Sequence, residues 1–229
     1  MTTTFPRFRA VADQALLVEF GDTIGDAAND QVISLDTKLA QTPFPGFNEA
    51  VPAYVSLLVY FDPVVTDHDA VEKAINALLL APPLPRTKGI NRPVDICFDD
   101  DFSPDLAEVS RQTGLSCDAI IAAQLSATYH VVMYGFAPGY AYLSGVPAIL
   151  HLPRKPSAKR GVAAGSVIIA GAQCLITTLT MPTGWWIIGR SPTQILLSDP
   201  AKPFLFDVGD SVHFNRIDRA TFDAKCARL

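Results

Sequence analysis

Three features of the sequence predict an α+β unit followed by a mainly β unit, a barrel or sandwich. The first 80 residues carry strand-like and helix-like periodicities in the order β-β-α-β-β-α. Pro82-Pro83-Leu84-Pro85 then interrupts the chain, because prolines lack the backbone N–H and favour extended backbone. From Tyr129 onward, short apolar runs are broken repeatedly by Gly and Pro, the pattern of many short strands. The predicted domains are residues 1–85 and 86–229.

In the first domain, residues 8–11 and 16–20 read as strands joined by Ala12-Asp13-Gln14. Ala28, Val32, Leu35 and Leu39 recur at helical spacing, and the segment 43–46 ends that helix. Residues 50–54 and 56–61 read as two further strands, the second closed by Asp62-Pro63. Val71, Ile75 and Leu78 mark a second amphipathic helix. Two helices on one face of an antiparallel sheet satisfy this order. Arg86-Thr87-Lys88-Gly89 completes a polar linker after the prolines.

The second domain opens with a strand over 93–98, then Asp99-Asp100-Asp101, which reads as a solvated turn because adjacent side chains rarely converge on one ion. Ser103-Pro104-Asp105 predicts a helix start with Ser103 as the cap and Pro104 as the first helical residue, and Gly114 predicts its end. Ser116 predicts the cap of a second helix carrying Ile120, Ile121 and Leu125. Strands are expected over 131–134, 166–170, 174–179, 185–188, 195–197 and 208–214, with a short helix after Asp218. Alternation along a strand sends Trp185 and Trp186 to opposite faces, so one is expected in the core and one partly exposed.

Composition narrows the function. With 49% hydrophobic and 18% charged residues the chain can bury a core, which excludes general disorder. A net charge of -5 speaks against nucleic acid. No run approaches the 18 apolar residues of a membrane span, and the first seven residues have no secretory pattern. Cys97, Cys117, Cys174 and Cys226 form no CxxC pair and read as separate thiols in a reducing compartment, so a cytoplasmic location is expected. The phosphate-loop, dinucleotide and nucleophile-elbow motifs are missing, and the four histidines have no metal-ligand spacing, so no metal is expected.

The charges are unevenly placed. Residues 1–118 carry eight Lys/Arg against 18 Asp/Glu, whereas residues 119–198 contain no Asp or Glu. The only charges there are Arg154, Lys155, Lys159, Arg160 and Arg190, in an otherwise uncharged, partly apolar wall. Such a wall suits a carboxylate, a phosphate or an acidic partner surface, since few carboxylates compete for the guanidinium groups.

The series Tyr134-Gly135-Phe136-Ala137-Pro138-Gly139-Tyr140-Ala141-Tyr142-Leu143, Leu152-Pro153-Arg154, Ala164-Gly165-Ser166-Val167 and Gly184-Trp185-Trp186-Ile187-Ile188-Gly189-Arg190-Ser191-Pro192 resembles the family of allophanate hydrolase subunit 1. That family, also known as the B subunits of 5-oxoprolinase, includes the sporulation kinase inhibitor KipI. Asp13-Gln14-Ala15-Leu16-Leu17-Val18-Glu19-Phe20 and Val51-Pro52-Ala53-Tyr54-Val55-Ser56-Leu57-Leu58-Val59 extend the resemblance over nearly the whole chain. It implies a ferredoxin-like N-terminal domain and a cyclophilin-like β-barrel domain.

The resemblance also implies a function. The chain is expected to be one subunit of an ATP-dependent amide or lactam hydrolase that opens 5-oxoproline to glutamate. Its partners would be a homologous second subunit, of the allophanate hydrolase subunit 2 type or the C type of 5-oxoprolinase, together with the A type of 5-oxoprolinase; ATP belongs to the assembled complex. Alternatives are a KipI-like histidine-kinase inhibitor and a carboxyltransferase-like half of a urea amidolyase system. On the loop positions, Arg154 and Lys159 are expected to hold the substrate anion and Gln124 and Gln173 to supply amide hydrogen bonds. Tyr140 would wall the cleft, with Phe136 and Arg190 as further binding residues. The chain departs from the family pattern at Gln124, Ala158, Lys159 and Cys174-Leu175-Ile176-Thr177-Thr178. Gln does not titrate as His does, and Lys offers a point charge where Arg offers a planar fork.

Overall fold

A computed structural model describes residues 4–84 and 89–227 and divides the chain into two compact units, Met1–Thr87 and Lys88–Leu229. The linker expected around residues 85–88 lies outside the described residues.

The first unit contains β1 (Arg7–Val11), β2 (Ala15–Glu19), α1 (Asp26–Gln41), β3 (Phe47–Pro52), β4 (Ser56–Phe61) and α2 (His68–Leu80). The strands form one antiparallel sheet in the order β1-β2-β4-β3. Alternation aims Leu16 and Val18 of β2 and Leu57, Val59 and Phe61 of β4 at Val32, Leu35 and Leu39 of α1 and at Val71 and Ile75 of α2. Asp67 caps α2 by accepting from the Ala70 amide. No basic residue of its own closes the last turn of α2; Lys38 of α1 does so instead, donating to the carbonyls of Leu78 and Ala81.

The second unit contains β5 (Asn91–Ile96), α3 (Leu106–Thr113), α4 (Cys117–Ser126), β6 (Tyr129–Tyr134), β7 (Ala141–Ser144), a 3-10 turn (Ala148–Leu150), β8 (Lys159–Val162), β9 (Ser166–Ala170), β10 (Gln173–Ile176), β11 (Met181–Thr183), β12 (Trp186–Arg190), β13 (Ser211–Arg216) and α5 (Arg219–Cys226). Seven strands form one mixed sheet in the order β12-β9-β10-β7-β6-β13-β5, with β13 and β5 parallel. Just past β5, Cys97 exchanges hydrogen bonds of 2.8 and 2.9 Å with Arg190 at the end of β12. That bridge joins the two outer strands and makes the sheet a nearly closed barrel.

The strands β9, β10 and β12 bury both faces. Val167, Ile169, Cys174, Ile176, Trp186 and Ile188 point into the barrel core. Ile168, Ala170, Leu175 and Ile187 face outward into a second cluster with Tyr140, Val162 and Trp185. Burial on both faces explains why these segments read as continuous apolar runs and not as alternating ones.

Several expectations are corrected. Ser103 is not the cap of α3: its hydroxyl donates to the carbonyls of Phe98 and Asp99, and the helix begins at Leu106. The strand expected over 174–179 stops at Ile176, because the Thr177 hydroxyl turns the chain by accepting from the Ser166 amide and donating to the Ala163 carbonyl. Residues 195–197 form only a single bridge, Leu196 to Phe204. The basic loop conceals a strand, since β8 pairs with β11 in a separate two-stranded ribbon. Other signals appear as expected: Gly114 ends α3 in the left-handed region, Ser116 caps α4, and Asp218 caps α5. The four cysteines are free thiols.

Candidate functional site

The loop between β6 and β7 begins the site. Phe136 has φ +70°, and the Ala137 amide donates to the Gly135 carbonyl at 2.9 Å, closing a three-residue turn. A bulky residue in that conformation is strained, so packing around it must hold it there. The turn leaves the Phe136 ring 74% exposed and 5.7 Å from that of Tyr140. Gly139, at φ +71°, permits the return of the chain; a Cβ there would meet Leu196 at 2.7 Å.

Below this loop lies a cleft of about 120 Å³ on the outer face of the barrel. Its walls include Phe136, Tyr140, Tyr142 and Trp185, and Arg154 stands at its edge. The Tyr142 and Trp185 rings meet edge to face at 5.9 Å, and the Arg154 guanidinium lies 5.7 Å from the Trp185 ring. Tyr140 is buried, and its hydroxyl has no hydrogen-bond partner among the described residues. Burial pushes that hydroxyl's pKa up to about 12, so it stays protonated and available as a donor at neutral pH.

Arg154 is fixed from both sides. The Trp186 indole N–H donates to the Pro153 carbonyl at 2.7 Å, and the Lys155 amide donates to the Gly184 carbonyl at 2.7 Å. The Lys155 ammonium reaches Asp105 Oδ2 at 2.6 Å, and the same oxygen accepts from the Ile187 amide at 2.8 Å. Asp105 also donates its own amide to the Ile187 carbonyl, so the start of α3 is locked to β12. Among the described residues no acidic side chain pairs with Arg154, and Asp105 is committed to Lys155.

The expected site residues therefore divide. Phe136, Tyr140 and Arg154 share the cleft. Lys159 and Arg190 line a different pocket. Gln173 starts β10 opposite Ala170, in the hairpin, away from the cleft. Gln124 is fully buried in the barrel unit, its side-chain nitrogen 3.7 Å from Cys174 Sγ. Trp185 and Trp186 do face opposite ways, but both are buried, and Trp185 joins the cleft. Sequence reasoning also missed Tyr142 and the Asp105–Lys155 pair. Lys155 was visible only as one cation of a basic loop, and Asp105 only as an acid near a helix start.

The cleft can bind and orient a small anion with an apolar or planar body. Its described lining contains no carboxylate, imidazole or thiol to move a proton at neutral pH. No cluster of metal-ligating side chains occurs among the described residues, and none of the described helices is long and apolar enough to cross a membrane.

Comparisons with known proteins give a family, by its model and curated relatives, and a fold, by solved structures. The model described as carboxyltransferase domain, subdomain C and D, matches residues 6–206. The Bacillus subtilis (strain 168) protein named as the B subunit of 5-oxoprolinase is 31% identical over 227 residues, covering 93% of this chain and 94% of that protein. The crystal structure of TTHA0988 superposes with a TM-score of 0.78 at 30% identity, over 90% of this chain and 40% of that one. The K. lactis urea amidolyase superposes with a TM-score of 0.78 at 16% identity, over 95% of this chain and 15% of that one, which is a likeness of fold alone.

Proposed function

Because the chain belongs to the family of the carboxyltransferase domain, subdomain C and D, we propose that it is the B-type subunit of a 5-oxoprolinase. The observation that carries this reading is the half-equipped cleft: one uncompensated cation and one unpaired buried hydroxyl between aromatic walls, with no acid or base. In 5-oxoproline, a small lactam ring bears one carboxylate. Arg154 pairs with that carboxylate, Tyr142 and Trp185 flank the ring, and the Tyr140 hydroxyl donates to the lactam oxygen. Ring opening adds one water across the lactam C–N bond to give glutamate, driven by ATP. The groups that activate this water and handle ATP come from partner proteins, the homologous C type and an A type. A cleft of about 120 Å³ with a single cation does not suit a triphosphate.

The same reading takes the N-terminal unit as ferredoxin-like, since its β-β-α-β-β-α order is the β-α-β-β-α-β order begun one strand earlier. It takes the barrel as cyclophilin-like, the domain boundary as falling at residues 85–86, and the location as cytoplasmic. Calorimetric titration of 5-oxoproline into the chain, alone and with its C-type partner, tests the substrate assignment. Binding that tightens with the partner and is lost in Arg154→Ala supports it. Binding indifferent to Arg154 contradicts it.

A further inference from the structure

Arg190 sits at the opposite end of β12 from Trp185, five residues along the strand and therefore about 16 Å away. Arg154 and Arg190 line separate pockets, Arg154 the aromatic cleft and Arg190 two others. The Arg190 guanidinium lies 5.3 Å from the Phe102 ring and 5.8 Å from the Phe222 ring, and its Nε donates to the Ala164 carbonyl at 3.2 Å. These contacts hold the fork still while leaving its terminal nitrogens without a partner among the described residues. The neighbouring cation is differently placed: Arg219, stacked on Phe102 at 4.2 Å, is already paired with Asp101 and Asp223. The single acid lining this region, Asp101, is thereby committed to Arg219 and not to Arg190.

Arg190 stands where two pockets meet. One, of about 330 Å³, is walled by Ser191, Gln194, Ile195, Leu196 and Phe222. The other, of about 160 Å³, is lined by Lys159 as well as Arg190. Neither shares a lining residue with the Arg154 cleft. The wall next to Arg190 is rigid, because the Ser191 amide donates to the Gly165 carbonyl at 2.8 Å and a Cβ on Gly165 would meet the Ser191 carbonyl at 2.4 Å.

We infer that the groove around Arg190 is a second anion-binding site, taking a carboxylate or phosphate group on the guanidinium fork with Lys159 as supporting charge. The apolar walls of the larger pocket receive the body of an organic ligand, and Gln194 reaches its polar end.

Calorimetric titration of the full chain with sodium phosphate and, separately, sodium acetate tests this. Saturable binding of at least one anion is expected, with the stronger one identifying the group recognised. Against an Arg154→Gln background, which removes the cation of the first cleft, saturable binding persists and weakens at least tenfold when Arg190→Gln is added. Arg190→Lys keeps the charge over the two rings and loses the fork, so it weakens binding several-fold; it serves if Arg190→Gln does not fold. In that background, failure of both anions to bind, or equal binding with and without the Arg190 substitution, overturns the inference. None of these outcomes depends on 5-oxoproline, so the substrate assignment stands or falls separately.

Discussion

Asp105 and Lys155, 50 residues apart in sequence, meet at 2.6 Å, and the same carboxylate oxygen holds the Ile187 amide. Both side chains are largely buried, 16% and 11% exposed. The pair thus joins α3, β12 and the Arg154 loop at one point. Removing one partner of such a pair leaves a buried charge without compensation, at a cost of about 3 kcal/mol. Asp105→Asn keeps an acceptor for the Ile187 amide but loses the ion pair. The unfolding free energy is expected to fall by that amount, seen as a lower urea midpoint with an unchanged slope, and 5-oxoproline binding to weaken as the Arg154 loop loosens. An unchanged midpoint would remove the pair from the account.

Tyr140 separates stability from binding. Its hydroxyl is buried without a partner among the described residues, an arrangement that costs about 1–3 kcal/mol. Tyr140→Phe is therefore expected to hold or raise the urea midpoint while weakening ligand binding about tenfold, the worth of one hydrogen bond. A variant that loses stability, or binds as wild type does, would show that the hydroxyl is not kept for a ligand.

Burial raises the Tyr140 pKa to about 12, and pushes that of Tyr129 up further. Unfolded tyrosines ionise near pH 10, so above that pH the unfolded chain releases protons that the folded chain keeps. Stability from this source is fully present below about pH 10 and is lost as pH rises beyond it, by up to about 1.4 kcal/mol per pH unit for each tyrosine. Denaturation at pH 9, 10 and 11 checks the sign. Between pH 6 and 9, turnover is expected to show no tyrosine ionisation.

Gln124 makes the converse case. Its Oε1 has no partner among the described residues, and its nitrogen meets only the Cys174 sulfur, whose thiol burial pushes up to about 12. Replacing a poorly satisfied buried amide by an apolar side chain of similar shape is neutral or favourable. Gln124→Met is expected to leave the urea midpoint unchanged or raise it. A fall of more than about 1 kcal/mol would show that the amide is held by contacts beyond Cys174.

Local periodicity made much of the fold legible. Val32, Leu35 and Leu39 marked α1, and Ser116, Gly114 and Asp218 marked helix ends through capping chemistry. The β8 and β11 ribbon was hidden because Lys159 and Arg160 read as a solvated turn, and its pairing rests on a partner about 20 residues away. Ser103 misled because a hydroxyl can donate to preceding carbonyls as readily as it can cap. Phe136, Tyr140 and Arg154 line one cleft, brought there by two separate loops. The separation of Arg190 from Arg154 depends on the run of β12, and the Asp105–Lys155 pair on tertiary contact; neither leaves a periodic trace.

The most direct test is ATP hydrolysis stimulated by 5-oxoproline, measured with this chain and its partner proteins, then with the chain omitted, then with Arg154→Ala in its place. The account predicts stimulation that vanishes without the chain and falls about 10- to 100-fold in substrate efficiency with Arg154→Ala, the worth of one charged hydrogen bond. Stimulation that persists without the chain, or is indifferent to Arg154, would contradict it.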